Sequence, residues 1–114
     1  MKKYIVLYMA PAAGMEEWMK KPAEERKAEE DKMKSEWGVW MQAHGSQLKE
    51  TAGAGKTKRV TKNGITDVKN DIMLYSMVEA ESDEAAAALF ADHPHFGMPD
   101  AWIDVMPANT LPSM

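Results

Sequence analysis

The sequence contains no cysteine among its 114 residues. A disulfide framework, a thiolate nucleophile and a cysteine metal site are therefore excluded, and the absence of cysteine favours a cytoplasmic location. Long apolar runs are also missing, since no stretch approaches the roughly 18 apolar residues of a membrane-spanning helix. Positive charge is not in excess either, because the formal net charge is -4. Neither a membrane nor a nucleic acid is therefore predicted as a partner.

The composition that remains is typical of one globular domain. Hydrophobic residues make up 45% of the chain and charged residues 28%. A chain of this length forms a single domain, residues 1–114, that can bury a modest core. The first stretch, MKKYIVLYMAPAAG, resembles a secretory signal, but its apolar run is short and broken by two tyrosines. Its alternation predicts instead a strand at about residues 2 to 9, buried on both faces.

Two helices are predicted. The first runs from Pro22 to about Ala43, and its second half carries apolar or aromatic side chains at spacings of three and four: Met33, Trp37, Trp40, Met41 and His44. This stripe must be covered by another part of the chain. The second helix is short and follows Ser82, a good N-cap residue, in the segment DEAAAALFA. Pro94 ends it.

Several strands are predicted between and after these helices. Three lie near residues 46 to 50, 57 to 62 and 65 to 69, and Asn63-Gly64 is a strong signal for a hairpin turn between the last two. A strand at residues 71 to 80 is apolar on both faces. The final strand is AWIDVMP, which Pro107 closes.

This order of elements predicts an α+β fold, namely a ferredoxin-like sandwich in which two helices cover one face of an antiparallel sheet. Two helices leave the other face uncovered, although two of the strands are apolar on both faces. A second copy of the sheet is the simplest cover. We therefore predict a homodimer packed sheet to sheet, a dimeric α+β barrel whose partner is the chain itself.

Several stretches resemble the YCII-related proteins, in particular the longer branch named for its DGPF motif. They are KKYIVLYM, WGVWMQAHG, QLKE, TKRVTKNG, DIMLYSMVEAESDEAAAALFADHP and WIDVMP. The resemblance covers nearly the whole chain and implies a dimeric α+β barrel with a small pocket in each subunit. Where that branch carries DGPF, this chain has TKNGITDVKND, which keeps an Asn-Gly turn and Asp71 but lacks the Pro-Phe pair.

The segment FADHPHFGMPDAWIDVMP holds the candidate catalytic residues. Asp104 shares a predicted strand face with Trp102, so a carboxylate lies among apolar neighbours. Such a group must find hydrogen-bond donors or take a raised pKa, and a raised pKa is typical of a general acid or base. Asp104 is therefore the predicted acid or base, with His93 and His95 as partners. The alternative is that Asp104 pairs with a surface lysine or with backbone amides.

His93 and His95 also suggest a metal site, because side chains two apart in an extended stretch point the same way. The carboxylate of Asp92, Asp100 or Asp104 would have to complete the set of metal ligands. Zinc normally takes three or four protein ligands, so the favoured interpretation is a helix end at which a cationic histidine interacts with the helix dipole. No metal and no cofactor are predicted.

A pocket between sheet and helices is predicted, lined by Tyr8, Tyr75, Met73, Trp102 and His44. Tyrosine hydroxyls would orient a ligand there, whereas core packing is the alternative role for these side chains. The predicted function is binding of a small organic molecule, with acid/base catalysis that needs no cofactor. The alternative function is a non-catalytic dimeric binding or regulatory module. Nucleotide binding is not predicted, because AGAGKT lacks the first glycine of a phosphate-binding loop.

Overall fold

A computed structural model describes residues 1–112 of the chain. The elements, in chain order, are β1 (Lys2–Met9), α1 (Ala12–Met19), α2 (Ala23–His44), β2 (Leu48–Gly53), β3 (Thr57–Thr61), β4 (Gly64–Val68), β5 (Ile72–Ala80), α3 (Asp83–Ala88), a 3₁₀ turn (Pro94–Gly97) and β6 (Trp102–Pro107). All the predicted strands are present, with bounds shifted by a few residues.

Four strands form one antiparallel sheet in the order β2-β5-β1-β6. Strand β1 therefore lies in the interior of the sheet, between β5 and β6. Strands β3 and β4 pair only with each other and form a separate two-stranded hairpin. An antiparallel sheet combined with helices confirms the predicted α+β class.

Local sequence signals account for several element boundaries. Pro22 is the residue just before α2, where its fixed φ and missing N–H are tolerated. The Ser82 Oγ accepts the backbone N–H of Ala85 at 3.1 Å and caps α3, as predicted. Between β3 and β4, Gly64 has a φ of 135°, which only glycine adopts readily. The hairpin turn predicted at this position is therefore confirmed.

Helix α1 was not predicted, because Pro11 and Gly14 suggest a break in regular structure. Pro11 instead directly precedes the helix, at a position where proline is tolerated. The carboxylate of Asp71 accepts the backbone N–H of Ala12 at 2.9 Å, which satisfies one of the free donors at the start of α1. Residues 1–112 thus contain three α-helices rather than the two that we predicted.

The core lies between the helices and one face of the sheet. Its buried apolar side chains come from β1, α2, β5 and the α3 region: Tyr4, Val6, Tyr8, Trp40, Val78, Ala80, Ala86 and Phe90. Trp40 belongs to this cluster and Trp37 packs against it, so this part of the predicted stripe faces the core, whereas Met41 is exposed. Each large apolar side chain buried in this way contributes roughly 1.5–3 kcal/mol. No helix among the described residues is long and apolar enough to cross a membrane.

The opposite face of the sheet, called the open face below, carries a second set of largely apolar side chains. They are Ile5, Leu7 and Met9 of β1, Met73, Tyr75 and Met77 of β5, and Trp102, Asp104 and Met106 of β6. None of them belongs to the core cluster or packs against it. Over residues 1–112, no helix covers this face. The prediction that β1 and β5 are apolar on both faces is confirmed.

The molecule is flat, with principal extents of 50 × 45 × 19 Å. Its Cα radius of gyration is 16.1 Å, whereas a compact domain of this length has about 13 Å. It exposes 8211 Å² of surface, compared with about 6,200 Å² for a folded monomer of this mass.

Candidate functional site

His93 and His95 are almost completely buried, with exposed fractions of 2% and 1%. The Nδ1 atom of His93 accepts the backbone N–H of His95 at 2.9 Å and caps the 3₁₀ turn. The Nε2 atom of His95 donates to the carbonyl oxygen of Met9 at 2.8 Å. The two histidines therefore fasten the 3₁₀ turn to the end of β1.

Four aromatic rings surround His93, and we call these five side chains the aromatic cluster. Ring centroids lie 5.1 Å from Tyr8, 4.3 Å from Trp37, 4.3 Å from Trp40 and 5.8 Å from Phe90. Because Nδ1 of His93 is an acceptor, the proton of the neutral ring is on Nε2. This buried Nε2 has no hydrogen-bond partner in the part of the chain described.

The two indole rings meet the imidazole of His93 at steep angles. The planes of Trp37 and Trp40 make angles of 82° and 63° with the imidazole plane. Edge-to-face arrangements of this kind are favourable for aromatic rings. A buried N–H group that pairs with no acceptor costs stability of about 1–3 kcal/mol.

Burial keeps both histidines neutral. Desolvation, together with the charges of His95 and His44, lowers the pKa of His93 to about 4. Burial also lowers the pKa of His95, although the hydrogen bond to the Met9 carbonyl acts in the opposite direction. The favoured interpretation of a cationic histidine at a helix end is therefore wrong. Both rings are uncharged parts of the core at neutral pH.

The ring nitrogens that a metal would need are partly occupied by these hydrogen bonds. Asp92 and Asp100, two of the three carboxylates considered as further ligands, are exposed. Among residues 1–112, no group of three or more His, Asp or Glu side chains is arranged to hold a metal ion. We therefore assign no metal to the histidine pair.

Asp104 lies on the open face, on the opposite side of the sheet from the histidine pair. The strand register pairs it with Leu7, and the next residue, Tyr8, points into the aromatic cluster. Since successive strand residues point to opposite faces, Asp104 points away from that cluster. Its Oδ2 accepts the Nε1–H of Trp102 at 3.3 Å, and the side chain is exposed. The predicted acid and its predicted histidine partners are not brought together in one chain.

Two of the residues predicted to line a pocket lie on the helix side of the sheet. Tyr8 is fully buried, with its hydroxyl 2.7 Å from Ser76 Oγ, and burial raises the pKa of that phenol. His44 is half-buried at the end of α2, where its ring centroid lies 4.7 Å from that of Trp40. Both side chains are packed against neighbours.

The other three predicted lining residues, Met73, Tyr75 and Trp102, lie on the open face. The hydroxyl of Tyr75 donates to Glu50 Oε1 at 2.9 Å, which raises the pKa of the phenol. The five residues thus lie on both sides of one sheet. They do not line a common cavity within a single chain.

A groove of about 920 Å³ lies at a different place, between α1, the first half of α2 and the loop that follows the 3₁₀ turn. Its apolar lining includes Ala10, Pro11, Met15, Trp18, Met33 and Met98. Sequence reasoning missed this groove because it missed α1. The available signal was the spacing of three between Met15 and Trp18, which puts both on one face of a helix.

Charged side chains at the rim of the groove are paired with one another. The Lys21 Nζ lies 2.9 Å from Glu29 Oε1, and the indole N–H of Trp18 donates to the same carboxylate. The hydrogen bond from Lys21, which has the larger effect, and that from Trp18 lower the pKa of Glu29. A further pair, Lys32 and Glu36, is 3.9 Å apart. Glu30 and Lys34 also line the groove, so its rim presents charges of both signs to a ligand.

No protein-family model matches the chain, and no curated protein matches it in sequence. The similarity to YCII-related proteins therefore stays a prediction from the sequence stretches.

The buried histidine pair predicts a loss of stability in mild acid. In the unfolded chain His93 titrates near pH 6.5, but in the folded chain its pKa is about 4. Between these values the unfolded state binds a proton that the folded state does not, so the free energy of unfolding decreases as pH falls. We expect His93→Phe, which cannot titrate, to reduce the loss between pH 7 and pH 5 by about 2 kcal/mol.

Urea unfolding at the two pH values, at one fixed protein concentration, measures this difference. His95 titrates in both proteins, and because it contacts residue 93 its own pKa must be measured by NMR in each protein so that its contribution can be subtracted. Equal losses of stability in the native chain and in His93→Phe would show that His93 is not held neutral by the fold.

Proposed function

We propose that the chain is a homodimeric, ferredoxin-like α+β-barrel protein that binds a small organic molecule in the groove between α1, α2 and the loop after the 3₁₀ turn. The observation that carries the binding role is the groove itself, about 920 Å³ in volume, whose lining combines apolar side chains with charged ones at its rim. Small-molecule sites typically measure about 300–1,000 Å³ and combine apolar side chains with polar groups that orient the ligand. A binding role is expected from the resemblance to YCII-related proteins, but the groove lies at a different place from the pocket that we predicted between sheet and helices.

The lining of the groove favours a ligand with an aromatic or aliphatic body. Trp18 supplies a flat ring, while Met15, Met33 and Met98 supply flexible thioethers that adapt to ligand shape. The rim lysines and glutamates mostly neutralise each other, as in the pair Lys21–Glu29. A ligand of low net charge therefore fits the groove better than a multiply charged one.

A binding role is favoured over acid/base catalysis by the placement of the candidate catalytic groups. Asp104 lies on the open face, and the histidine pair lies buried on the other side of the sheet. A general acid or base must come within hydrogen-bonding reach of the reacting group. Neither Asp104 nor the histidine pair lines the groove.

The homodimer is supported by the strand order and by the open face. The order β2-β5-β1-β6, all antiparallel, is that of a ferredoxin-like sheet with the β3–β4 hairpin inserted. The surplus of exposed area, about 2,000 Å², exceeds the roughly 800 Å² that each partner buries in a standard interface. A second copy that packs on the open face would remove part of this surplus from water.

The arrangement of side chains on the open face suits a protein interface. Ile5 is flanked across the sheet by Met77 and Met106, so the middle of the face is apolar. Carboxylates stand on the two edge strands, Glu50 on β2 and Asp104 on β6. An apolar centre with a polar rim is the usual anatomy of a specific interface. In this arrangement Asp104 is a rim residue whose charge stays solvated.

A single charge at the centre of the open face should separate the dimer. We expect Ile5→Lys to raise the dimer dissociation constant about 100-fold or more, because the new charge lies directly across from Met77 and Met106 and must be desolvated when the two faces meet. Sedimentation velocity at micromolar concentration measures the change, with circular dichroism to verify the fold.

The matched control is Ile65→Lys on the β3–β4 hairpin, where the isoleucine side chain is 66% exposed. This control should leave the dimer unchanged. A monomeric native chain, or an Ile5→Lys variant that dimerises like the native chain, would refute a dimer through the open face.

Filling the groove should weaken ligand binding. We use indole as the probe and monitor the methyl signals of ¹³C-labelled methionines by NMR. Indole should shift the signals of Met15, Met33 and Met98, and Met33→Trp should weaken its binding by about tenfold or more because the new ring occupies the same space.

Met41→Trp is the control, since Met41 is exposed on a later turn of α2 and does not line the groove. It should bind indole like the native chain. The groove is not the binding site if indole shifts only the open-face signals of Met73 and Met77, or shifts no signal at millimolar concentration.

A further inference from the structure

One wall of the groove is formed by Gly97, the last residue of the 3₁₀ turn, and by the loop residues Met98 and Pro99 that follow it. Gly97 lies beside the side chain of Met33 on α2, where a Cβ built on the glycine would be 3.7 Å from the Met33 Cε atom. The loop therefore closes against α2, and its position sets the width of the groove on this side.

The position of this wall depends on the histidine pair. The backbone N–H of Met98 donates to the carbonyl oxygen of His95 at 3.1 Å. His95 is held in turn by its backbone N–H, which donates to His93 Nδ1, and by its ring, which donates to the Met9 carbonyl. A chain of hydrogen bonds thus runs from the His93 ring, through His95, to the wall of the groove.

The first bond in this chain is the one that acid breaks. The neutral His93 ring carries its proton on Nε2, so an added proton must go to Nδ1. There it turns the acceptor into a donor that faces the backbone N–H of His95, another donor. The hydrogen bond is lost, and a positive charge is placed inside the aromatic cluster, where it is poorly solvated.

Within residues 1–112, the groups that face His93 include no negative charge that would compensate its protonation. From β1 it is faced by the Tyr8 phenol, whose pKa is raised by burial. From α2 it is faced by Trp37, Trp40 and the nearby His44, and from the end of α3 by Phe90. His95 is the titratable group beside it in the turn. The two histidine neighbours oppose its protonation, so a protonated ring is driven out of the cluster.

We propose that His93 and His95 form an acid-sensitive positioning pair, in which protonation of His93 releases the Gly97–Pro99 wall and widens the groove. The release of ligand that would follow rests on the proposed binding function, whereas the movement of the wall does not. His93 acts through His95 and the loop, and does not contact a ligand.

The movement of the wall is measured without a ligand, by NMR of methionine methyl groups from about pH 7 to about pH 4. The signals of Met33 and Met98 should shift with the same midpoint as the His93 ring resonances. The methyl signals of Met77 on the open face and of Met41 on α2 should not shift over this pH range. A His93 titration that leaves Met33 and Met98 unmoved would overturn the proposal. A simultaneous change of all the methyl signals would also overturn it, because acid would then unfold the whole chain.

Two variants separate the lost hydrogen bond from a general loss of packing. His93→Asn keeps a side-chain acceptor for the His95 N–H but does not titrate, so its Met33 and Met98 signals should stay fixed in acid. His93→Phe fills the space without an acceptor, and its two signals should already be displaced at pH 7. If the signals of His93→Asn move with the native midpoint, His93 is not the acid-sensitive group.

Indole binding at the two ends of the pH range distinguishes this proposal from the proposed function. If the wall moves with His93 and indole binds only at neutral pH, both proposals are supported. If the wall moves but indole does not bind at any pH, the positioning pair is supported and the binding function fails.

Discussion

The packing of Tyr8 is the contact on which the rest of the structure depends. Its ring lies within 5.0 to 6.0 Å of Trp37, Phe90, His93 and His95, measured between ring centroids. Its hydroxyl meets the buried Ser76 on the neighbouring strand. One side chain on an interior strand therefore joins α2, the α3 region and the 3₁₀ turn to the sheet. Because the 3₁₀ turn also leads into the wall of the groove, the same packing connects the core to the candidate site.

Because side chains alternate along β1 and β6, the candidate catalytic residues lie on opposite sides of the sheet. Residues that face the helices, Tyr8 among them, are closed in by aromatic and histidine rings and leave no room for a ligand. Residues that face the other way lie outside the core: Leu7 is half-buried and Asp104 is exposed in the single chain. This division separates Asp104 from the histidine pair. It favours binding in the groove, together with a partner on the open face, over catalysis by an acid and a histidine.

Much of the fold could be predicted from the sequence because its signals are local. Alternation identified β1 and β5, Ser82 marked the start of α3, and Asn63-Gly64 marked the hairpin. The burial of His93 and His95 could not be predicted, because it depends on partners far away in the chain: His95 donates to a carbonyl 86 residues earlier. The groove was missed for a related reason. The sequence signals for the start of helix α1 are weak. A hydrogen bond to Asp71, which is distant in the sequence, stabilises the start of this helix.

The central claim is that a second copy of the chain covers the open face. Its most direct test is an isotope-filtered NMR measurement on a mixture of ¹³C-labelled and unlabelled chains, in which only contacts between two different molecules give signals. A sheet-to-sheet dimer predicts intermolecular contacts at the methyl groups of Ile5, Leu7 and Met77. Intermolecular contacts confined to the β3–β4 hairpin or to α2, or none at all at the concentration used, would contradict it.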